Sequence, residues 1–130
     1  SSMTLMFQKE VADRLTATPS TKAYGRLSVM TQWLCETRHL FNVDKRAFFP
    51  PPKVMSSVIS LRIRSEPLAQ ADWHALEEIT AAAFNQRRKM LRSSLKAYQL
   101  DFTALNINPE LRAENLSIEQ FCLMARAISR

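Results

Sequence analysis

Apolar and polar positions alternate most clearly between Ser57 and Arg64. Ile59, Leu61 and Ile63 take one side there, and Ser60, Arg62 and Arg64 take the other. A period of two predicts a strand with one face on a core. Met3 to Lys9 is nearly continuous apolar at Met3, Leu5, Met6 and Phe7, which predicts a short buried strand. His39 to Val43 reads as a third. Two helices are predicted between the first and second of these strands. Lys9 to Ala17 sets Val11, Ala12 and Leu15 on one face, and Tyr24 to Glu36 repeats Leu27, Met30 and Leu34 at helical spacing. Thr18-Pro19-Ser20-Thr21 breaks the chain between them.

Ser65 to Gln70 reads as a linker, and we place a domain boundary there. Everything beyond it is helical. Asp72 can cap a helix running to about Asn85 and packed through Trp73, Leu76, Ile79 and Ala83. A second helix is predicted from about Arg87 to Tyr98, with Leu91, Leu95 and Tyr98 on its inner face. Phe102 to Ile107 is a short piece before Asn108-Pro109. Ser117 to Ile128 closes the chain, with Ser117 and Gln120 spaced as a capping box. The pattern therefore divides into a part with strands, residues 1–65, and an all-α part, residues 66–130. It contains no internal repeat.

Composition adds a partner class. The chain has 130 residues, 46% of them apolar, enough to bury a core. Its net charge of +6 argues for an anionic partner, with nucleic acid the commonest and a membrane surface the rival. No apolar run approaches a membrane span. The first residues carry neither a basic segment nor a cleavage site, so no signal peptide is expected. Cys35 and Cys122 stand far apart among apolar residues, which reads as free thiols in a reducing, cytosolic setting. Gly25 is the one glycine. Phosphate and dinucleotide cradles need several glycines close together, so this chain cannot hold a nucleotide-type cofactor in the usual way.

Two segments could carry function. Arg87, Arg88, Lys89, Arg92 and Lys96 lie in a stretch with no acid between Glu78 and Asp101. On a helix, Arg88, Arg92 and Lys96 would step by four along one face, which suits a phosphate backbone. A merely solvating face usually mixes signs, and this one does not. The second segment is Phe48-Phe49-Pro50-Pro51-Pro52-Lys53-Val54. Consecutive prolines hold it extended, so it can present a ring for stacking on an unpaired base, or it can pack its rings under the sheet. His39 and His74 have no spaced partners, so no metal site is expected. Neither cysteine has a nearby histidine to activate it.

Three segments taken together are more specific. They are Lys22-Ala23-Tyr24-Gly25-Arg26-Leu27-Ser28-Val29, then Phe48 to Val54 followed by Ser56-Ser57-Val58, then Ala83 to Leu95 with Asn85-Gln86-Arg87-Arg88-Lys89 at its centre. In this order the chain resembles the small-subunit ribosomal RNA adenine dimethyltransferases, the KsgA/RsmA type. Gln8-Lys9-Glu10-Val11 and Arg112-Ala113-Glu114-Asn115 fit the same resemblance, which covers essentially the whole chain.

The resemblance implies an α/β fragment plus an all-α part: the C-terminal part of a Rossmann-like S-adenosylmethionine methyltransferase sheet, opening at its fifth strand, followed by a small helical RNA-binding domain. It implies an enzyme that dimethylates the N6 amines of two adjacent adenines of 16S RNA during ribosome assembly in the cytoplasm. The family's cofactor motif and its Asn-Leu-Pro-Tyr motif have no counterpart here, so no catalytic and no cofactor-binding residue is expected in this chain, and no S-adenosylmethionine bound to it. Phe48 matches the aromatic residue that packs against the target adenine. Arg87, Arg88, Lys89 and Arg92 match the segment that contacts RNA, with Lys96 added from its spacing. Phe49 departs from the pattern, where a small polar residue is expected. An opening strand without a neighbour on one side also predicts self-association. Three alternatives stand beside this reading. One is a stand-alone RNA-binding or assembly module without activity. Another is the related antibiotic-resistance dimethylase acting on large-subunit RNA, against which the Lys22 and Asn85 segments weigh. The third and weakest is a basic membrane-surface module.

Overall fold

The computed structural model describes residues 1–129. The chain forms an α/β fold on a three-stranded antiparallel sheet. Strand β1 (Ser2–Gln8) leads into helix α1 (Lys9–Thr16), then α2 (Arg26–Leu34), β2 (Cys35–Val43) and β3 (Ser56–Ile63). The spatial order is β1-β3-β2, so the last strand made lies in the middle. β3 pairs antiparallel with both neighbours, setting Leu5 and His39 on either side of Ile59. Side chains in register share a face. Ile59 therefore turns with Phe7 and Leu61 onto Val11, Ala12 and Leu15 of α1, where a small core forms. The opposite face aligns Met6, Val58 and Phe41, with Met6 52% and Phe41 55% exposed. A register shift between His39 and Phe41 interrupts β2.

The predicted second helix stops earlier than its pattern. It ends at Leu34, and β2 begins at Cys35 rather than at His39, because Cys35 already pairs with Ile63. The remaining elements are α3 (Trp73–Asn85), α4 (Leu91–Ser94), α5 (Phe102–Leu105) and α6 (Ile118–Ile128), with a single 3-10 turn after α4 and another after α5. Both anticipated caps form. Asp72 accepts from the Ala75 amide at 3.0 Å. Ser117 and Gln120 cap each other through side chain and backbone at 3.1 and 2.9 Å.

The larger core gathers Leu76, Ile79 and Ala83 of α3, Leu91 and Leu95, Leu116, and Phe121, Cys122 and Met124 of α6. It also takes Tyr24, Val29 and Trp33 from the first half of the chain. The stretch read as a linker is tied down: the Trp33 indole donates to the Ala69 carbonyl at 2.7 Å, and the Leu68 amide to the Trp33 carbonyl at 2.8 Å. No helix among the described residues is long and apolar enough to cross a membrane.

Candidate nucleic-acid interface

The basic segment does not form the single helix its pattern predicts. α3 ends at Asn85, residues 86–89 turn, and Met90 pairs with Arg112 in an isolated bridge before α4 starts. Arg, Lys, Met and Leu all favour helix, so tertiary packing has overridden local preference. A helix start leaves amides without intrahelical partners. Here the Leu91 amide donates to the Leu111 carbonyl at 2.8 Å and the Arg92 amide to the Pro109 carbonyl at 3.0 Å. The break lets Leu91 and Leu95 bury completely or nearly so. The expectation that Arg88, Arg92 and Lys96 step along one helical face is thereby corrected.

The five basic residues separate into two groups. Arg87 is half-buried and occupied. Its guanidinium donates to the carbonyls of Tyr24 at 2.5 Å, Lys22 at 3.0 Å and Thr21 at 3.2 Å, and lies 3.5 Å from the Glu114 carboxylate. It also sits 5.8 Å from the centroid of the Phe84 ring. It is a staple between the segment before α2, the end of α3 and the loop before α6. Arg88, Lys89, Arg92 and Lys96 are all exposed. Among the described residues none of these four has a carboxylate within ion-pairing distance, whereas Arg14, Arg26, Arg46, Arg62 and Arg64 each do. Broken helix or not, the segment displays four uncompensated positive charges.

A second basic concavity, about 310 Å³, is lined by Arg14, Lys22, Gly25, Arg26, Phe84 and Arg87. Its arginines are balanced by Glu10, Glu77 and Glu114, so it presents less net charge than the Arg88 segment. The Lys22–Val29 stretch behind it is a packing seam. Tyr24 is buried and its hydroxyl donates to the Leu116 carbonyl at 2.7 Å. The Ser28 hydroxyl donates to the Arg14 carbonyl at 2.5 Å and accepts from the Gly25 amide at 3.1 Å. Burial, and then the charge of Glu119, push the Tyr24 phenol far above its ordinary range.

Phe48 lies apart from the basic segment, in the loop between β2 and β3. With Met6, Phe49, Pro50, Pro52 and Ser56 it lines a shallow cavity of about 350 Å³ on the open face of the sheet, and none of residues 87–96 borders it. Phe48 is half-buried there, so the loop neither hides the ring under the sheet nor leaves it wholly in solvent. Sequence reasoning missed the staple role of Arg87, which has no local signal, since the carbonyls it donates to lie more than sixty positions away.

Among the described residues no glycine-rich turn of the kind that cradles a nucleotide-type cofactor is present. Gly25 has extended backbone at the start of α2, and a Cβ there would meet only the Arg87 side chain, at 3.9 Å, so no close backbone approach depends on it. β1 passes directly into α1 without a glycine turn. Among the described residues no cluster of His, Cys, Asp or Glu could hold a metal.

The comparisons with known proteins bear on the chain as a whole. It is 58% identical over 131 residues to the ribosomal RNA small subunit methyltransferase A of Paramagnetospirillum magneticum, covering 97% of this chain and 46% of that protein. It is 58% identical over 127 residues to the same-named protein of Rhodospirillum rubrum, covering 95% and 44%. The chain thus spans about half the length of the curated relatives it matches. In fold it is similar to a dimethyladenosine transferase from Plasmodium falciparum, with a TM-score of 0.77 at 22% identity over 95% of this chain and 55% of that one. It is similar also to the 23S rRNA methyltransferase ErmE, with a TM-score of 0.65 at 25% identity over 98% and 54%. The model of the family described as ribosomal RNA adenine dimethylase matches residues 1–130, and the chain belongs to that family.

Proposed function

We propose that this chain is the C-terminal part of an S-adenosylmethionine-dependent enzyme that dimethylates two adjacent adenines of 16S RNA during assembly of the small subunit in the cytoplasm. Residues 1–65 contribute the end of the Rossmann-like methyltransferase sheet, and residues 66–130 the RNA-binding helices. Arg88, Lys89, Arg92 and Lys96 dock the phosphate backbone, and Phe48 forms one wall of the target-base pocket. The observation that carries this reading is the run of four exposed cations without carboxylate partners in a member of an RNA-modifying family. The relatives at 58% identity favour small-subunit RNA over the large-subunit RNA of the more distant ErmE. Arg87 is withdrawn from the docking set because its guanidinium is already engaged.

The family's cofactor and Asn-Leu-Pro-Tyr motifs have no counterpart in this chain, so by itself it is expected neither to bind S-adenosylmethionine nor to methylate RNA. A heat of cofactor binding in calorimetry would overturn that part. The docking part is tested by titrating a small-subunit RNA fragment across a range of salt, beside an Arg88→Glu/Arg92→Glu variant. Four phosphate contacts correspond to a log–log salt slope of about −2.8 for unpaired RNA to −3.6 for a duplex. Tight, salt-sensitive binding that the variant loses is the expected result. Equal binding by the variant would remove the segment from the interface.

A further inference from the structure

Phe49 is 100% exposed, the most exposed large apolar side chain of the molecule. Its ring contributes nothing to either core. It follows Phe48 directly, borders the same shallow cavity, and stands on Pro50, Pro51 and Pro52, which restrict the backbone that carries it. The loop around it is cationic. Between Asp44 and Met55 the chain has Lys45, Arg46 and Lys53, and the single acid, Asp44, is held by Arg46 at 2.8 Å. Lys45 and Lys53 have no ion-pair partner among the described residues. Flat rings interleaved with free positive charge form the pattern by which proteins hold single-stranded nucleic acid: rings for bases, cations for phosphates. Exposed rings alternating with free lysines suit the alternation of bases and phosphates, and a lipid surface would select a broader apolar face.

We propose that Phe49 is a second stacking platform beside Phe48, so that this loop holds two unpaired nucleotides rather than one. The proposal rests on the RNA reading above. A ring already fixed by its backbone loses little freedom when a base stacks on it. Removing one such stack weakens single-strand binding about five- to 150-fold.

The test uses the whole chain, a labelled single-stranded oligoadenylate and a blunt RNA duplex of the same length, at low salt. Phe49→Ala is expected to lose at least about fivefold in affinity for the single strand and to bind the duplex unchanged. Phe49→Trp is expected to retain single-strand affinity, with the added indole emission quenched by the oligonucleotide. Unchanged single-strand affinity in Phe49→Ala overturns the proposal while leaving docking through Arg88 and Arg92 intact. Failure of the unsubstituted chain to bind either RNA removes the RNA reading and this proposal with it. If Phe49→Ala instead turns a self-associating chain into a monomer without changing RNA affinity per protomer, the ring belongs to a contact between copies and the proposal falls.

Discussion

The guanidinium of Arg87 is held by three backbone carbonyls and Glu114, while the side chain of the next residue, Arg88, stands in solvent. Charge-assisted hydrogen bonds contribute about 1.5–3 kcal/mol when partly shielded, so Arg87→Ala is expected to cost about 2–3 kcal/mol in denaturant unfolding. Arg88→Ala is expected to leave stability within about 0.5 kcal/mol and to weaken RNA binding instead. From the sequence the two arginines are indistinguishable, because what separates them is contact with residues far away in the chain. Two buried acids set the behaviour at high pH. Burial raises the Tyr24 phenol, and burial pushes the Cys122 thiol up to about 11. Both groups hold their protons more tightly folded than unfolded. Their contribution is fully present below the unfolded values, about 8.5 for a thiol and 10 for a phenol, and is lost as pH rises through the folded ones. Stability measured by urea unfolding should therefore fall between about pH 8.5 and 11, and Tyr24→Phe/Cys122→Ala should flatten that fall.

The strands and capped helices follow from local pattern. Ile59 and Leu61 alternate with polar residues because their face of β3 packs on α1, although Ile63 at the strand's end is left exposed, and Asp72 and Ser117 sit where orphan amides need an acceptor. The break at residues 86–90 was not legible, since its cause lies in the carbonyls of Pro109 and Leu111 that accept the freed amides. The sheet edges differ in a way the sequence does show. β2 carries Glu36, Arg38 and a register shift, devices that discourage pairing with a foreign strand. β1, with the sequence Ser-Met-Thr-Leu-Met-Phe-Gln, has no charge, no proline and no bulge, and it pairs on one side only. We propose that copies of this chain associate through β1. Sedimentation is expected to show association at micromolar concentration, and Thr4→Lys to suppress it. A monomer at all concentrations would overturn the idea.

At the scale of the molecule, the proposed division after residue 65 splits the chain but not the core. Tyr24, Val29 and Trp33 pack with α3 and α6, and Arg87 ties the two parts from the other side. A peptide of residues 66–130 would lose three large side chains from its interior. It is expected to show no cooperative thermal transition by circular dichroism, whereas the whole chain unfolds in one. Ser65–Gln70 reads as a linker, and within it Leu68 and Ala69 are hydrogen-bonded to Trp33, a contact no local pattern reveals. The strand order has a consequence for synthesis. β1 and β2 are not hydrogen-bonded to each other, and both wait for β3, which pairs Arg62 with Ser2. At synthesis rates of about 5–20 residues per second, β1 is made some 3–12 s before β3, its partner within this chain. No local hairpin can shelter it meanwhile. Of the three strands in this chain, the least guarded is thus the one that waits longest for β3.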